Sequence, residues 1–178
     1  METYDWQAVV KNQGPLVWQT AYRLLGNHAD TADCFQETFA AAFEIASRQR
    51  VRNMAGLLVR LATMRAIDGL RRKSRRQGHR APAHRTHRTA GGGPDPLDEV
   101  EAQELSWKLR EAIAQLAPQE GKVFCMRHLN EMSYRQIARE LNMKVNAVGV
   151  VLHRVKTKLR DALEAVRMED EEVPHETR

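Results

Sequence analysis

The residues best suited to chemistry lie at positions 129–160, where basic and amide side chains follow a short helical hairpin pattern. Ser133 can cap a first helix, and Val145 begins a second one after a three-residue turn. Cations precede the first acidic residue of that second helix, at Lys144, His153, Arg154, Lys156, Lys158 and Arg160. Such cations suit phosphates, and neighbouring polar groups can reach base edges in a DNA groove.

Two apolar stripes would position these side chains. Ile137, Ala138 and Leu141 share one face of the first helix. The second helix carries a matching stripe at Val148, Leu152, Val155 and Leu159. The pattern predicts a helix-turn-helix whose second helix lies in a major groove. An ordinary helical hairpin with a solvated basic face is the alternative for this segment alone.

The remaining pattern is also helical, and no useful stretch of period-2 alternation predicts a sheet. We expect one helix from near Pro15 to about Leu25, and a second capped by Asp30 or Thr31. The second helix would bury a stripe at Phe35, Phe39, Ala42 or Phe43, and Ala46. A polar loop at residues 48–53 precedes a third long helix. The predicted fold class is therefore all-α.

Composition divides the chain into two small helical domains. We predict the first at residues 1–76, a flexible basic and Gly-Pro linker at 77–97, the helix-turn-helix domain at 98–167 and an acidic tail at 168–178. Residues 71–88 hold 8 of the 28 lysines and arginines and no acidic residue, which leaves 20 basic against 23 acidic residues elsewhere. Two separated basic surfaces indicate two contacts with one polyanion.

Other kinds of chemistry are not indicated by the sequence. It contains no P-loop, nucleophile elbow, dinucleotide fingerprint or zinc-protease helix, so we expect neither an enzyme nor a cofactor. Cys34 and Cys125 each lie inside an apolar helical pattern, which predicts buried thiols. Loosely spaced histidines in the linker favour solvation over a metal site, at His79, His84 and His87. With no signal peptide or long apolar run, a cytoplasmic location is expected.

Three motifs together resemble the extracytoplasmic-function (ECF) group of bacterial RNA polymerase sigma factors, in the sigma-70 family. Residues 25–39, with an intact Gln-Glu-Thr-Phe core, resemble the segment that docks on the clamp helices of the polymerase β′ subunit. Residues 57–72 resemble the helix that melts and reads the promoter -10 element. The helix-turn-helix, preceded by Leu-Ala-Pro-Gln-Glu, resembles the reader of the -35 element. The resemblance covers residues 16–76 and 98–165.

The resemblance implies three sets of site residues. For polymerase binding they are Asp33, Gln36 and Glu37. For the -10 region they are Arg48, Arg50, Arg52, Asn53, Met64, Asp68, Arg71, Arg72, Arg75 and Arg76, with the polar loop capturing an unstacked base. For the -35 region they are Ser133, Tyr134, Lys144, Asn146, Ala147, Val150, Val151, His153, Arg154, Lys156 and Lys158.

The sequence departs from the family pattern at both DNA-reading helices. Leu57 and Leu58 stand where the family has a Trp-Leu pair, and Met64 replaces an Asn that contacts a -10 base. Ala147, Gly149, Val150 and Val151 replace the usual Thr, basic, Ser and Arg positions, and Gly121 replaces a common Arg. Valines can touch a thymine methyl group. The alternative is that a protein partly covers this face, with Gly149 allowing the close approach of another backbone.

The implied partners are core RNA polymerase, through its β′ clamp helices and β flap, and promoter DNA. An anti-sigma factor is a further partner that the resemblance implies. The alternative function is a self-sufficient helix-turn-helix regulator that binds an operator as a dimer. Dependence on polymerase separates the two hypotheses, because the regulator would bind duplex DNA alone.

Overall fold

The structure, a computed structural model, describes residues 4–77 and 96–171, and side chains within 4–76 and 103–164. The predicted linker, its three histidines and the end of the acidic tail lie largely or wholly outside these ranges. The described residues form helices without strands, which confirms the all-α class. The helices are α1 (Trp6–Leu25), α2 (His28–Arg48), α3 (Met54–Gln77), α4 (Pro96–Gln115), α5 (Pro118–His128), α6 (Tyr134–Glu140) and α7 (Val145–Glu171).

The first helix begins nine residues before Pro15, so the predicted start near this proline is wrong. Asp5 caps the helix by accepting a hydrogen bond of 3.1 Å from the backbone of Ala8. Trp6 and Val9 then pack against the core formed by α1, α2 and α3. Tertiary packing of this first stretch offsets the backbone hydrogen bond that Pro15 cannot donate.

The second helix is capped by Asn27, not by Asp30 or Thr31 as predicted. The Asn27 side-chain oxygen accepts from the backbone N–H of Asp30 at 2.9 Å. Of the two alternatives for its buried stripe, Ala42 is fully buried whereas Phe43 is 56% exposed, with its ring against Trp6. Since Asn is an excellent N-cap, a cap three residues earlier satisfies the first turn equally well.

The apolar stripes of the C-terminal half lie where the sequence predicted them. Val148, Leu152, Val155 and Leu159 are all buried, as are Ile137 and Ala138 of α6. Val148 and Leu152 pack with Ile137 and Ala138, and with Val123 and Met126 of α5, in a core that also receives Val59 of α3.

A further cluster is shared between the two halves of the chain. Leu24 of α1 and Ile67 of α3 belong to the same buried cluster as Ile113 of α4 and Val155 of α7. Polar contacts accompany this packing: Asn130 donates to the Thr20 hydroxyl at 2.6 Å, and the Ser74 hydroxyl donates to Glu111 at 2.6 Å. The described helices therefore form a closed arrangement, in which α4 and α5 lie directly on α3.

In the described part of the chain, none of the helices is long and apolar enough to cross a bilayer.

Candidate nucleic-acid and polymerase interfaces

The helix-turn-helix is built from a capped short helix and a tight turn. The Ser133 hydroxyl accepts from the backbone of Gln136 at 3.3 Å, and the Gln136 side chain accepts from the backbone of Ser133 at 2.8 Å. This reciprocal capping box starts α6 as predicted. The turn has four residues, 141–144, rather than three, and Asn142 turns the chain at a positive φ of 50°. Asn tolerates that conformation better than most residues.

The exposed face of α7 gathers some of the predicted -35 residues and leaves others out. Asn146, Val150, His153 and Arg154 are exposed on this face. Val151 instead lies half-buried against both the shared cluster and the helix-turn-helix core. Ala147 is half-buried. The Ser133 hydroxyl caps α6, so the role of this residue in the structure is to start that helix.

Cations surround this face. Lys144 and Lys156 are exposed. The Arg127 guanidinium lies 5.6 Å from the centre of the Tyr134 ring, a cation-π contact that orients this exposed tyrosine at the start of α6. The face therefore combines a positive surround with a small set of side chains that can contact base edges.

Lys158 is committed to a structural ion pair. Its ammonium group contacts the two carboxylate oxygens of Glu120 at 2.8 and 2.9 Å. The hydrogen bond from Lys158 lowers the pKa of the buried Glu120 carboxyl, although burial opposes the shift. The same carboxylate accepts from the backbone of Ala117 at 3.1 Å. Lys158 thus ties α7 to the start of α5.

The polar loop before α3 is held by hydrogen bonds at both ends. The Tyr4 hydroxyl lies 3.0 Å from the backbone oxygen and nitrogen of Val51. Asn53 accepts from the backbone of Gly56 at 3.0 Å and donates to Glu140 of α6 at 2.7 Å. Arg48 ends α2 and pairs with Glu44 at 2.6 Å. Arg50 and Arg52 are exposed between these points.

An open cavity of about 290 Å³ lies where this loop faces α6. Its lining is rich in cations from both halves of the chain: Arg50, Arg52, Arg60 and Arg139, beside Glu140. Sequence reasoning missed the contribution of α6 to this region. Gly56 gave the one signal, because a Cβ atom there would lie 2.3 Å from Glu140, and such a glycine indicates a close approach.

At the basic end of α3, one arginine contacts the C-terminal half of the chain and the others are exposed to solvent. The Arg71 guanidinium donates to the backbone oxygens of Ala114 at 3.2 Å and Leu116 at 2.7 Å, at the end of α4. Asp68 lies 3.7 Å from the same guanidinium. Met64 is half-buried. The remaining cations are exposed, at Arg72, Arg75 and Arg76.

The predicted polymerase-binding residues lie on the exposed face of α2. Asp33, Gln36 and Glu37 are all exposed, whereas Phe39 and Cys34 are buried behind them. Glu37 lies 3.4 Å from Arg65 of α3, whose side chain is partly buried, whereas the Glu37 side chain is 56% exposed and stays accessible. The face presents acidic and amide groups that suit a basic partner helix.

Both cysteines are buried and unpaired, as predicted. Burial raises the pKa of the Cys34 thiol to about 11 and that of Cys125 to about 12. Both thiols therefore stay protonated and unreactive in the folded chain. Among the described residues, His, Cys, Asp and Glu form no group that could hold a metal ion.

Comparison with family models identifies both halves. The model for Sigma-70 region 2 matches residues 9–76, and the model for Sigma-70, region 4 matches residues 106–159.

Two curated relatives are similar along most of the chain. One, the ECF RNA polymerase sigma factor SigE of Mycolicibacterium smegmatis, is 28% identical over 159 residues. That alignment covers 89% of this chain and 62% of the relative, so the chain spans less than two thirds of that protein's length. The other, the ECF RNA polymerase sigma factor SigW of Bacillus subtilis, is 30% identical over 154 residues, covering 83% of this chain and 82% of SigW.

Two solved structures share the fold. One is the sigma factor RpoE in complex with the anti-sigma factor NepR from Bartonella quintana, with a TM-score of 0.56 and 16% identity over 91% of this chain and 98% of that one. The other is CnrH in complex with the cytosolic domain of CnrY, with a TM-score of 0.56 and 21% identity over 89% of this chain and 87% of that one.

Proposed function

Because this chain belongs to the ECF group of the sigma-70 family of RNA polymerase sigma factors, we propose that it binds core RNA polymerase and directs promoter recognition at transcription initiation. The observation that carries the proposal is the presence, on one chain, of an acidic docking face on α2 and a basic-rimmed helix-turn-helix. Catalysis then belongs to the polymerase, and the chain acts in the cytoplasm, where polymerase and promoters are found.

The docking step uses the exposed face of α2. Asp33, Gln36 and Glu37 lie within five consecutive residues, so they occupy slightly more than one helical turn. The aromatic and small residues on the opposite face anchor this helix in the core, which keeps the acidic groups in a fixed orientation. A basic helix of the β′ clamp is the partner that this charge favours.

At the -10 element, the loop before α3 would receive a flipped base. Arg50 and Arg52 are exposed there, and the cavity beside them is open to solvent. Stacking and base-edge hydrogen bonds offset the cost of unpairing. Met64 contributes packing rather than hydrogen bonds, so polar readout of the -10 sequence falls to the loop. The cations at the end of α3 would hold the backbone.

At the -35 element, α7 would enter the major groove with its exposed face toward the bases. Helix-turn-helix proteins contact base edges mainly with the first turns of this helix. In this chain those turns present Asn146 and Val150, while Arg154 and Lys156 lie within reach of phosphates.

The closed arrangement differs from the one needed on a promoter. The -35 and -10 elements are centred about 25 base pairs apart, roughly 85 Å along B-form DNA at about 3.4 Å per base pair. In the described arrangement Asn53 and Glu140 lie within hydrogen-bond distance, so the two DNA-reading regions touch. Simultaneous contact with both elements therefore requires α4–α7 to separate from α3. The linker then keeps the second contact intramolecular.

An anti-sigma factor is a second class of partner for this chain. RpoE and CnrH, whose folds resemble this one, were each solved with a protein partner, NepR and the cytosolic domain of CnrY. A protein that bound the closed arrangement would stabilise it by mass action and withhold the chain from promoters.

The operator-binding regulator is the weaker alternative. Its N-terminal half would serve as a sensor or dimerisation unit, yet that half matches region 2 of the sigma-70 family and carries the acidic face. We therefore retain the sigma factor as the proposal.

Co-purification with bacterial core RNA polymerase tests the proposal directly. We expect stable association and start-site-specific transcription from selected DNA. Glu37→Lys should weaken the association about tenfold or more, because it places a cation against the basic clamp helix. Glu44→Lys is the matched control, since Glu44 lies on the same exposed helix but outside the proposed contact set. Binding to duplex DNA without polymerase, and no association with it, would contradict the proposal.

A further inference from the structure

The centre of the exposed α7 face is apolar. Val150 is 60% exposed and lies nearly opposite the buried stripe of α7. Asn146, one turn earlier, and His153, one turn later, flank it and are exposed as well. An aliphatic side chain therefore occupies the position that would enter a DNA groove most deeply.

The charge around Val150 favours DNA over a protein as the occupant. Lys144, Arg154 and Lys156 are exposed near it, and the first acidic residue of α7 is Asp161. The exposed apolar surface here consists of Val150 and part of the neighbouring Tyr134 ring, which is less than a protein interface requires. A valine surrounded by cations suits a partner that is negatively charged overall and carries one small apolar group.

B-form DNA offers one such feature in the major groove. Thymine carries a C5-methyl group there, and none of the other three bases carries a methyl group at that edge. Valine has neither donor nor acceptor to offer a polar edge. We propose that Val150 reads the C5-methyl group of one thymine in the -35 element, an inference that rests on the proposed sigma function.

The spacing along α7 places a polar contact beside this thymine. Asn146 precedes Val150 by four residues, which corresponds to about 6 Å along the helix. That distance is less than two base-pair steps of about 3.4 Å each. Since Asn can donate to N7 and accept from N6 of adenine, an adenine is expected within about two base pairs of the thymine.

The close contact of Tyr134 with α7 supports the position of this face. A Cβ atom on Gly149 would lie 3.6 Å from the Tyr134 ring, so the start of α6 packs beside the second turn of α7. The surface next to Val150 is therefore held in place by packing against α6. A side chain on a pre-ordered surface loses little conformational entropy when it binds a base, which favours selective recognition of a single methyl group.

The test replaces thymine by deoxyuridine, which removes only the methyl group. The -35 sequence is first selected from a randomised library with the assembled holoenzyme. Each thymine of the selected element is then replaced singly, and holoenzyme affinity is measured. We expect one position at which deoxyuridine weakens binding about fourfold, the effect of losing one buried methyl group.

Val150→Ala should weaken binding to the thymine promoter by a similar factor and abolish the difference between thymine and deoxyuridine. Val145→Ala is the matched control, because Val145 is 42% exposed on the same helix but lies about 140° around its axis from Val150. This control should keep the full deoxyuridine effect. Circular dichroism melting verifies that both variants fold.

Three results would overturn the inference while leaving the sigma function intact. One is a selected -35 element that lacks thymine, or in which no deoxyuridine affects affinity, although the holoenzyme transcribes from it. The second is an undiminished deoxyuridine effect in Val150→Ala. The third is equal binding of all library members at the -35 position, which would indicate that a protein covers this face. Failure of the sigma function appears earlier, as a lack of polymerase-dependent transcription.

Discussion

Two glycines inside helices, Gly121 and Gly149, differ in the space that their surroundings leave for a side chain. Gly121, which replaces an arginine common in the family, is buried on α5. A Cβ atom there would lie 3.2 Å from Ile67 of α3, tighter than ordinary packing. An arginine could not occupy that space while α5 lies on α3. Gly149 differs, because its nearest neighbour outside α7 would be at an ordinary van der Waals distance of 3.6 Å.

This difference gives a prediction at the residue scale. Gly149→Ala should raise the free energy of unfolding by up to about 1 kcal/mol, because alanine favours helix and has room here. The sequence hypothesis that Gly149 allows the close approach of another backbone therefore finds no support within the described chain. Gly121→Ala is the matched variant, and its helical gain should be offset by the contact with Ile67. Urea denaturation of both variants measures the difference, and equal stabilisation would contradict it.

At the scale of elements, short polar links decide how the helices are joined. Glu120 lies in the first turn of α5 and binds Lys158 of α7, while its side chain is only 8% exposed. Ser133 and Asn27 start their helices by capping, and Asp5 does so for α1. These contacts fix where each helix begins and therefore which residues its exposed face presents.

The Glu120–Lys158 pair predicts a specific pH dependence. Because the pKa of Glu120 is lower in the folded chain than in the unfolded one, its contribution is fully present above the unfolded value. The contribution is lost as pH falls below about 4 and through the folded pKa. Glu120→Gln should lower the free energy of unfolding by about 1–2 kcal/mol near neutral pH, less in acid.

Urea denaturation across this pH range measures the effect. Glu44→Gln is the control, since its partner Arg48 and Glu44 itself are both largely exposed and such pairs contribute little. A loss for Glu120→Gln that stayed constant from neutral to acid pH would contradict the assignment.

At the scale of the whole molecule, the two halves share a core and several polar contacts. The Ser74 hydroxyl donates to Glu111 across this boundary, and the Arg71 guanidinium donates to the backbone oxygens of Ala114 and Leu116 at the end of α4. Two of the proposed -10 residues therefore contact the C-terminal half: Arg71 through these bonds and Asn53 through Glu140. The proposed promoter binding would have to break these contacts, so their free energy would oppose it.

Locking the closed arrangement should abolish promoter-directed transcription. The variant carries Ser74→Cys and Glu111→Cys, joined by a short cross-linker that reductant cleaves, and activity should return on cleavage. Cys34 and Cys125 should not interfere, because both are buried with raised pKa values. Glu104→Cys with Lys108→Cys, a pair one turn apart on α4, is the control that joins residues of one half. Full transcription by the locked protein would contradict the requirement for opening.

Local patterns along the chain were enough to predict the all-α class, most of the buried stripes and the family. Helical periodicity and caps are local, so Ser133 and the Val148–Leu159 stripe could be assigned without a structure. The start of α1 could not, because packing of Trp6 and Val9 extends this helix nine residues ahead of the start that Pro15 predicts. Nor could the engagement of Asn53 by Glu140, which depends on contacts between residues 87 positions apart. Tertiary packing alone decided which proposed DNA-binding groups face solvent and which are held inside the closed arrangement.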